Sequence, residues 1–420
     1  MKDSLKIIAI AGFIASLFGC ADAAAQDTQW RGLNRDGIYL DTSLLRSWPE
    51  EGPELILKME GLGNGYSTPV LYKDNLFITG RRDSLDVITK VNLQGTIQWE
   101  TVYGKAWNQS FQETRGTPTI EDDRIYLTGG LGTVVCIDSG TGAVLWSRNT
   151  HLEFQGEFHR WGMVESLLLT EKAVISSPVG TQTAVVALDK MNGSLLWRSD
   201  TVGGVRSYAS PVMINHKGRR MILFTSNKEL FAVDPEKGTI LWEKDLVTGY
   251  TGDRNSRINT NTPLYFDGDV FITSGYNAEA LMFTIAPDGS DATLKWSSAT
   301  LDSHHGSVIL LDGYLYGANW LNNGNGNWVC QRWETGEVMY EEKWHNKGSI
   351  IYADGMLYLF EEKRGHVGLV EPDPGSFRLV SSFRLEGGSG PFWAHMSIYD
   401  QKLLIRHGEV LFVYNISAEN

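Results

Sequence analysis

FAVDPEKGTILWEKD, residues 231–245, carries a spacing that recurs down the chain. In it Asp234 is followed four residues later by Gly238, and Gly238 four residues later by Trp242. VCIDSGTGAVLWSRN repeats the spacing with Asp138, Gly142 and Trp146, and VALDKMNGSLLWRSD repeats it with Asp189, Gly193 and Trp197. A shortened copy, VNLQGTIQWE, keeps Gly95 and Trp99. A period of about 45 to 50 residues, built from short alternating runs between turn residues, is the signature of a propeller rather than of a helical solenoid. One unit runs STPVLYKDN, LFITGRR, VITKVNLQG, TIQWE, which reads as four strands and three turns. The Asp or Asn opens the last turn by accepting from nearby backbone N–H groups, and the Gly takes the positive φ that the turn needs. The Trp then lies on the outermost strand, where a large flat ring covers the gap between twisted neighbouring sheets.

Composition agrees with turn-rich β-structure: the 420 residues include 45 Gly and 14 Trp, and 42% are apolar, enough for a large core. A net charge of -13 argues against a surface that neutralises phosphate backbones, so nucleic acid is not an expected partner.

Residues 1–25 read as an export signal and 26–420 as a single β-propeller domain. Lys2 and Lys6 precede the apolar run Ile7 to Gly19, which is too short to span a bilayer and is followed by small residues. Leu17 to Cys20, LFGC, resembles a bacterial lipoprotein box, which implies lipidation at Cys20. The alternative is simple cleavage within ADAAAQ, where alanines stand at A-x-A spacing. Either route places the chain in the periplasm or at the outer membrane, with a membrane contact only through an N-terminal lipid. Cys136 and Cys330 sit in apolar runs as small hydrophobes, and with no C-x-x-C or H-E-x-x-H no metal site is expected.

The Asp-x-x-x-Gly-x-x-x-Trp pattern resembles the tryptophan-docking motif of the pyrroloquinoline-quinone-binding-like β-propellers. That superfamily holds the quinoprotein alcohol dehydrogenases and the lipoprotein subunit of the outer-membrane β-barrel assembly machinery. The resemblance covers essentially the whole mature chain. Strong copies end at Trp99, Trp146, Trp197 and Trp242, one with an inserted loop ends at Trp296, and weaker ones lie in ETGEVMYEEK, with Tyr340 in the Trp place, and DPGSFRLVSSF. The implied fold is all-β, an eight-bladed propeller of four-stranded antiparallel blades. The last blade has only three strands before Asn420, so PELILKME near the start, with Leu57 in the Trp place, is expected to complete it and remove two sheet edges. TQWRGLNRDGIY is then expected along the rim or base, with Trp30 as a packing anchor.

In such a fold the first strand of each blade lines the channel, and the residues just before it gather at one mouth. Aligning GYSTPV, TRGTPT, MVESLL, SYASPV, TNTPLY, HHGSVI, NKGSII and WAHMSI puts Tyr66, Arg115, Glu165, Tyr208, Asn261, His304, His305, Lys347, Trp393 and His395 around it. These ten are the candidate ligand-binding residues, with Glu165 and His305 as candidate catalytic bases. The reading is a polar funnel: Arg115 and Lys347 as cations for carboxylates, and aromatic walls to stack on sugars or planar rings. The loops containing Trp107, Asn108 and Gln109, and His159, Arg160 and Trp161, are expected over the same mouth, and LNNGNGNW (Leu321 to Trp328) reads as a flexible turn.

Three function classes follow. One is a binding module whose partner is a polar small molecule, a glycan or an envelope protein. Another is a cofactor-free enzyme acting on a glycan or polyol. The third, a quinone-dependent dehydrogenase, is disfavoured. The resemblance implies for such enzymes a vicinal Cys-Cys disulfide, a calcium site of carboxylate and amide ligands and a longer chain, whereas no two Cys here are adjacent. Neither pyrroloquinoline quinone nor calcium is therefore expected.

Overall fold

The computed structural model describes residues 28–247 and 257–418. The expected export signal, with Cys20, lies outside them. Among the described residues, no helix is long and apolar enough to cross a membrane.

Eight four-stranded antiparallel sheets follow one another around a ring. Seven are continuous in sequence, blades one to seven, at residues 70–105, 119–149, 168–198, 212–245, 264–298, 308–342 and 348–384. Blade eight takes Ser397–Tyr399, Lys402–His407 and Val410–Asn415 from the end of the chain, and its outer strand Glu54–Met59 from the start. That outer strand runs antiparallel to Val410–Asn415 with Leu57 opposite Val413, and no edge is left open at the seam.

The repeated triad is a joint between blades. Trp99 Nε1 donates to the Ser139 carbonyl at 3.3 Å, Trp146 to Lys190 at 2.9 Å, Trp197 to Pro235 at 3.1 Å and Trp296 to Trp333 at 3.0 Å. Each acceptor lies in the last turn of the next blade. The glycine of that turn is required twice over. Gly142, Gly193 and Gly238 have φ of +74°, +72° and +73°, and a Cβ on each would stand 2.7, 2.7 and 2.4 Å from the preceding blade's Trp ring. The Asp shapes the turn: Asp234 Oδ1 accepts from the N–H of Glu236 and of Lys237. At the seam Leu57 takes the Trp position, with Cδ1 3.0 Å from where a Cβ on Gly95 would be.

The core is a series of apolar clusters between adjacent blades, which include Cys136 and Cys330. Burial pushes the Cys330 thiol up to about 12 and raises that of Cys136, so both remain protonated and inert.

The N-terminal segment departs from expectation, because it closes one end of the channel instead of running along the rim or base. Thr28 Oγ1 donates to the Ile120 carbonyl of blade two at 2.6 Å. Arg35 donates to the carbonyls of Ser166 and Pro211 beside blades three and four, at 2.9 and 3.1 Å. Arg31 reaches Val308 in blade six and Ile350 in blade seven, each at 3.0 Å. Ile38–Tyr39 then adds a short parallel strand to the inner strand of blade seven. The inner strands turn carbonyls toward the channel that need donors, and each guanidinium supplies five.

Candidate functional site

Above this plug the channel widens into a cavity of about 670 Å³. Trp30 lines it, so this side chain is exposed to the cavity rather than confined to a packing anchor. Its ring stands 4.6 Å from that of His395, centroid to centroid, and its Nε1 donates to Thr262 Oγ1 at 3.4 Å.

An aromatic collar runs along one side of the cavity. Ring centroids are 5.2 Å apart for Tyr66–Trp393, 5.3 Å for Trp393–Phe111, 6.1 Å for Phe111–Trp161 and 5.3 Å for Trp161–Tyr208. The Tyr208 hydroxyl accepts from the N–H of Arg160 and of Trp161, at 2.9 and 3.0 Å, which fixes that loop over the cavity. Two cations belong to this wall, Arg115 and the exposed Arg160. Arg115 donates to the Phe111 carbonyl. Burial lowers its pKa, opposed by Glu113 and the two tyrosines, yet a guanidinium stays charged at neutral pH.

The adjoining wall, which meets the collar where the His305 and Trp393 ring centroids are 5.2 Å apart, is built from Tyr276, His304, His305 and Glu362. His304 Nε2 and the Tyr276 hydroxyl are 2.8 Å apart, and His395 Nε2 bonds the His305 carbonyl at 2.7 Å. Burial drives His304 and His395 well below the ordinary imidazole range and His305 down to about 3, so all three are neutral at pH 7. Glu362 is shifted up by burial, opposed by the Lys347 ammonium 2.6 Å from its Oε1.

Seven of the ten sequence candidates line the cavity: Tyr66, Arg115, Tyr208, His304, His305, Trp393 and His395. Three stand behind the wall. Glu165 is 3% exposed, accepts from the Ser177 hydroxyl and N–H at 2.7 and 3.1 Å, and has Arg206 at 4.0 Å. It is a buried joint and does not reach a molecule in the funnel as a base. Lys347 is also not a funnel cation. Its four-carbon stem folds back so that Nζ meets Glu362 and the carbonyls of Asn322 and Asn323 at 3.0 and 3.2 Å. That anchors LNNGNGNW, expected as a flexible turn, and brings Asn323 to the cavity. Asn261 clamps the histidine segment, donating to the carbonyls of Ser303 and His304 and accepting from Ser307 N–H. Of the loop residues, Arg160 and Trp161 line the cavity, while Trp107 is buried and donates to Ser110 O at 3.1 Å.

Sequence reasoning did not single out Phe111, Tyr276 or Glu362. Phe111 lies inside the loop already placed over the mouth. Tyr276 and Glu362 follow the second strands of blades five and seven, Asp269–Ile272 and Met356–Glu361. In an antiparallel meander the end of the second strand lies beside the start of the first, so the second-to-third loops were the available signal.

The superfamily's quinone and calcium can be tested against these residues. Calcium takes about six to eight oxygen ligands. Among the described residues, the group able to share an ion is His304, His305 and Glu362, two nitrogens and a carboxylate already paired with Lys347. That donor set does not fit calcium, and both described cysteines are packed inside blades.

Fold and site together define a tryptophan-docked, eight-bladed propeller whose channel is plugged at one end and widens into a cavity lined by aromatic rings, Arg115 and Arg160. Residues 84–325, more than half the chain, match the family described as outer membrane protein assembly factor BamB, and the chain belongs to that family. It is 27% identical over 228 residues to a quinoprotein ethanol dehydrogenase of Pseudomonas putida, covering 49% of this chain and 35% of that one. It is 20% identical over 255 residues to the assembly factor BamB of Moranella endobia, covering 58% and 61%. The chain spans about a third of the length of the curated dehydrogenases it matches. Among solved structures it resembles the quinohemoprotein alcohol dehydrogenase of Comamonas testosteroni, with TM-score 0.68, 9% identity and coverage of 95% and 82%. It also resembles BamB from Moraxella catarrhalis, with TM-score 0.61, 14% identity and coverage of 86% and 99%. At such identities these likenesses concern the fold.

Proposed function

We propose that this chain is a binding module of the bacterial envelope whose funnel takes a polar ligand bearing an acidic group, such as an acidic oligosaccharide. It is exported, held in the periplasm or at the outer membrane, and tethered there through a lipid on Cys20. The observation that carries the ligand reading is the collar from Tyr66 through Trp393, Phe111 and Trp161 to Tyr208, with Arg115 and Arg160 set into it. Aromatic faces stack on sugar rings, and a guanidinium grips a carboxylate with two parallel bonds. The plug supports the same reading, because it turns a through-channel into a concavity with a floor.

Catalysis without a cofactor is the weaker reading. Glu165 is out of reach, and His305, held neutral down to about pH 3, is a poor proton acceptor. A quinone-dependent reaction is disfavoured as well, since the His304, His305 and Glu362 group found among the described residues does not suit the calcium that would accompany the quinone. A protein partner is the second reading. The family description names outer membrane protein assembly, and a segment of an envelope protein carrying Asp or Glu offers the same chemistry as an acidic glycan.

The test is ligand-induced thermal stabilisation, screened with acidic and neutral oligosaccharides and with acidic peptides. An acidic probe should stabilise the parent, and Arg115→Ala should weaken binding by roughly ten- to a hundredfold, the loss of a charge-assisted bond of about 1.5–3 kcal/mol. Stabilisation by no probe, or equal stabilisation of parent and Arg115→Ala, would remove the funnel as the site.

A further inference from the structure

His304 and His305 precede the inner strand of blade six, and Glu362 follows the second strand of blade seven. One ligand atom from each lies within 4.8 Å of the others. Two ring atoms on this wall, His304 Nδ1 and His305 Nε2, are buried without a hydrogen-bond partner. An unsatisfied buried polar atom costs about 1–3 kcal/mol, so a pair of them on one wall calls for a partner that accepts two lone pairs. We propose that His304, His305 and Glu362 bind a divalent transition-metal cation of the zinc type, with its remaining coordination position open to the funnel.

Three observations support the site. His305 Nε2 and Glu362 Oε2 are 3.4 Å apart with no hydrogen bond between them. Two donors each about 2.0–2.1 Å from a tetrahedral ion stand ~3.4 Å apart, so this pair already has the spacing of two zinc ligands. The Tyr276 hydroxyl 2.8 Å from His304 Nε2 can take that nitrogen's proton as its hydrogen bond, which leaves the Nδ1 lone pair free. Such an outer partner fixes tautomer and ring orientation in metal-bound imidazoles. Lys347 holds only Oε1 of Glu362, at 2.6 Å, and leaves Oε2 available.

The donor chemistry selects the ion. Two imidazoles and one carboxylate suit zinc and other imidazole-binding cations, whereas calcium and magnesium want oxygen throughout. Three protein ligands with a free position form an open site, in which a water, or a carboxylate or hydroxyl of a funnel ligand, completes the shell. Lys347 keeps the carboxylate paired when the ion is absent, and its charge makes the site weaker than a closed structural one. Metal binding by these three side chains does not require the proposed glycan or peptide, so each reading stands or falls by its own experiment.

The test uses the full mature chain, stripped with a chelator and exchanged into clean buffer, with the metal alone as probe. Calorimetric titration with Zn²⁺ should show one equivalent per chain, and Co²⁺ should give the intense visible bands of a four-coordinate ion that Zn²⁺ displaces and Ca²⁺ does not. Tyr276→Phe should weaken Zn²⁺ binding roughly 10- to 100-fold, and His305→Ala should weaken it further. His345→Ala, in the stacked His345–His366 pair with rings 3.6 Å apart, should leave it unchanged. Unfolding midpoints without metal separate lost ligands from lost folding, and Tyr276→Phe keeps the test decisive if His305→Ala does not fold. No uptake by the folded parent overturns the proposal, as does uptake that His345→Ala abolishes while Tyr276→Phe leaves it intact. Oligosaccharide or peptide stabilisation would survive that outcome.

Discussion

Replacing Arg35 by Ala should destabilise the protein and open the floor of its funnel. The guanidinium is fully buried and bonds Gln29 Oε1 at 2.9 Å, Ser166 O at 2.9 Å and Pro211 O at 3.1 Å, and it also reaches Leu167 O. On its removal Leu167 O keeps the Thr119 hydroxyl at 2.7 Å, whereas Ser166 O and Pro211 O lose this donor. At about 1–3 kcal/mol for each of the three acceptors left without this donor, Gln29 Oε1 included, the loss is about 3–9 kcal/mol. Burying the cation is itself unfavourable, as its pKa pulled down to about 9 records, and its removal offsets part of that loss, so the lower half of the range is expected. Equilibrium denaturant unfolding gives the energy. Acrylamide quenching of Trp fluorescence reports the floor, because Trp30 sits five residues away in the same segment and should become more accessible. A change under ~0.5 kcal/mol, the range of an ordinary surface substitution, with unchanged quenching would refute the plug.

Three further outcomes follow from the geometry. Gly238→Ala should cost more than Gly218→Ala in denaturant unfolding: both have positive φ, worth about 1–2 kcal/mol, but only at Gly238 does the new Cβ meet a Trp ring, at 2.4 Å, while nothing lies within 4 Å of Gly218. Equal losses would remove the docking role of Trp197. Lys347→Ala should lower stability by about 3–5 kcal/mol by leaving Glu362 buried and unpaired, with Arg115→Ala changing it little; the reverse order in thermal melts would mean that Lys347 is the funnel cation after all. His151, pulled down to about 4 by burial and by Arg206, is protonated in the unfolded chain below about pH 6.5 but stays neutral in the native one. The unfolded state therefore binds the extra proton and stability falls as pH drops from 6.5 toward 4, so His151→Gln should flatten the slope in that window, and an unchanged slope would count against it.

The fold was legible because its determinants repeat. Asp234, Gly238 and Trp242 mean little alone, but copies at Asp138 and Asp189 define a turn, a contact and a period, and the missing fourth strand after Tyr414 called for residues 54–60. The residues around the cavity were legible in register but not in orientation. Glu165 and Lys347 occupy the right places ahead of their strands, yet one turns toward Ser177 and Arg206 and the other toward Glu362, since each side chain follows the buried partner that satisfies its charge. Such partners lie in other strands, at sequence distances that no period announces. The plug was hidden for the same reason: Arg31 and Arg35 bond carbonyls of four blades, and backbone carbonyls leave no trace in a sequence. The metal-competent wall joins blades six and seven through Glu362, which no motif ties to His304 and His305.

Whether the funnel is a binding site is decided by the electron density inside it in crystals of protein purified from its native host. We expect a bound molecule lying against Trp161 and Trp393 with an acidic group at Arg115 or Arg160, lost from crystals of Arg115→Ala. A funnel that holds only water in native and acidic-oligosaccharide-soaked crystals alike, while the same oligosaccharide stabilises the protein in solution, would contradict it and move the site elsewhere on the propeller.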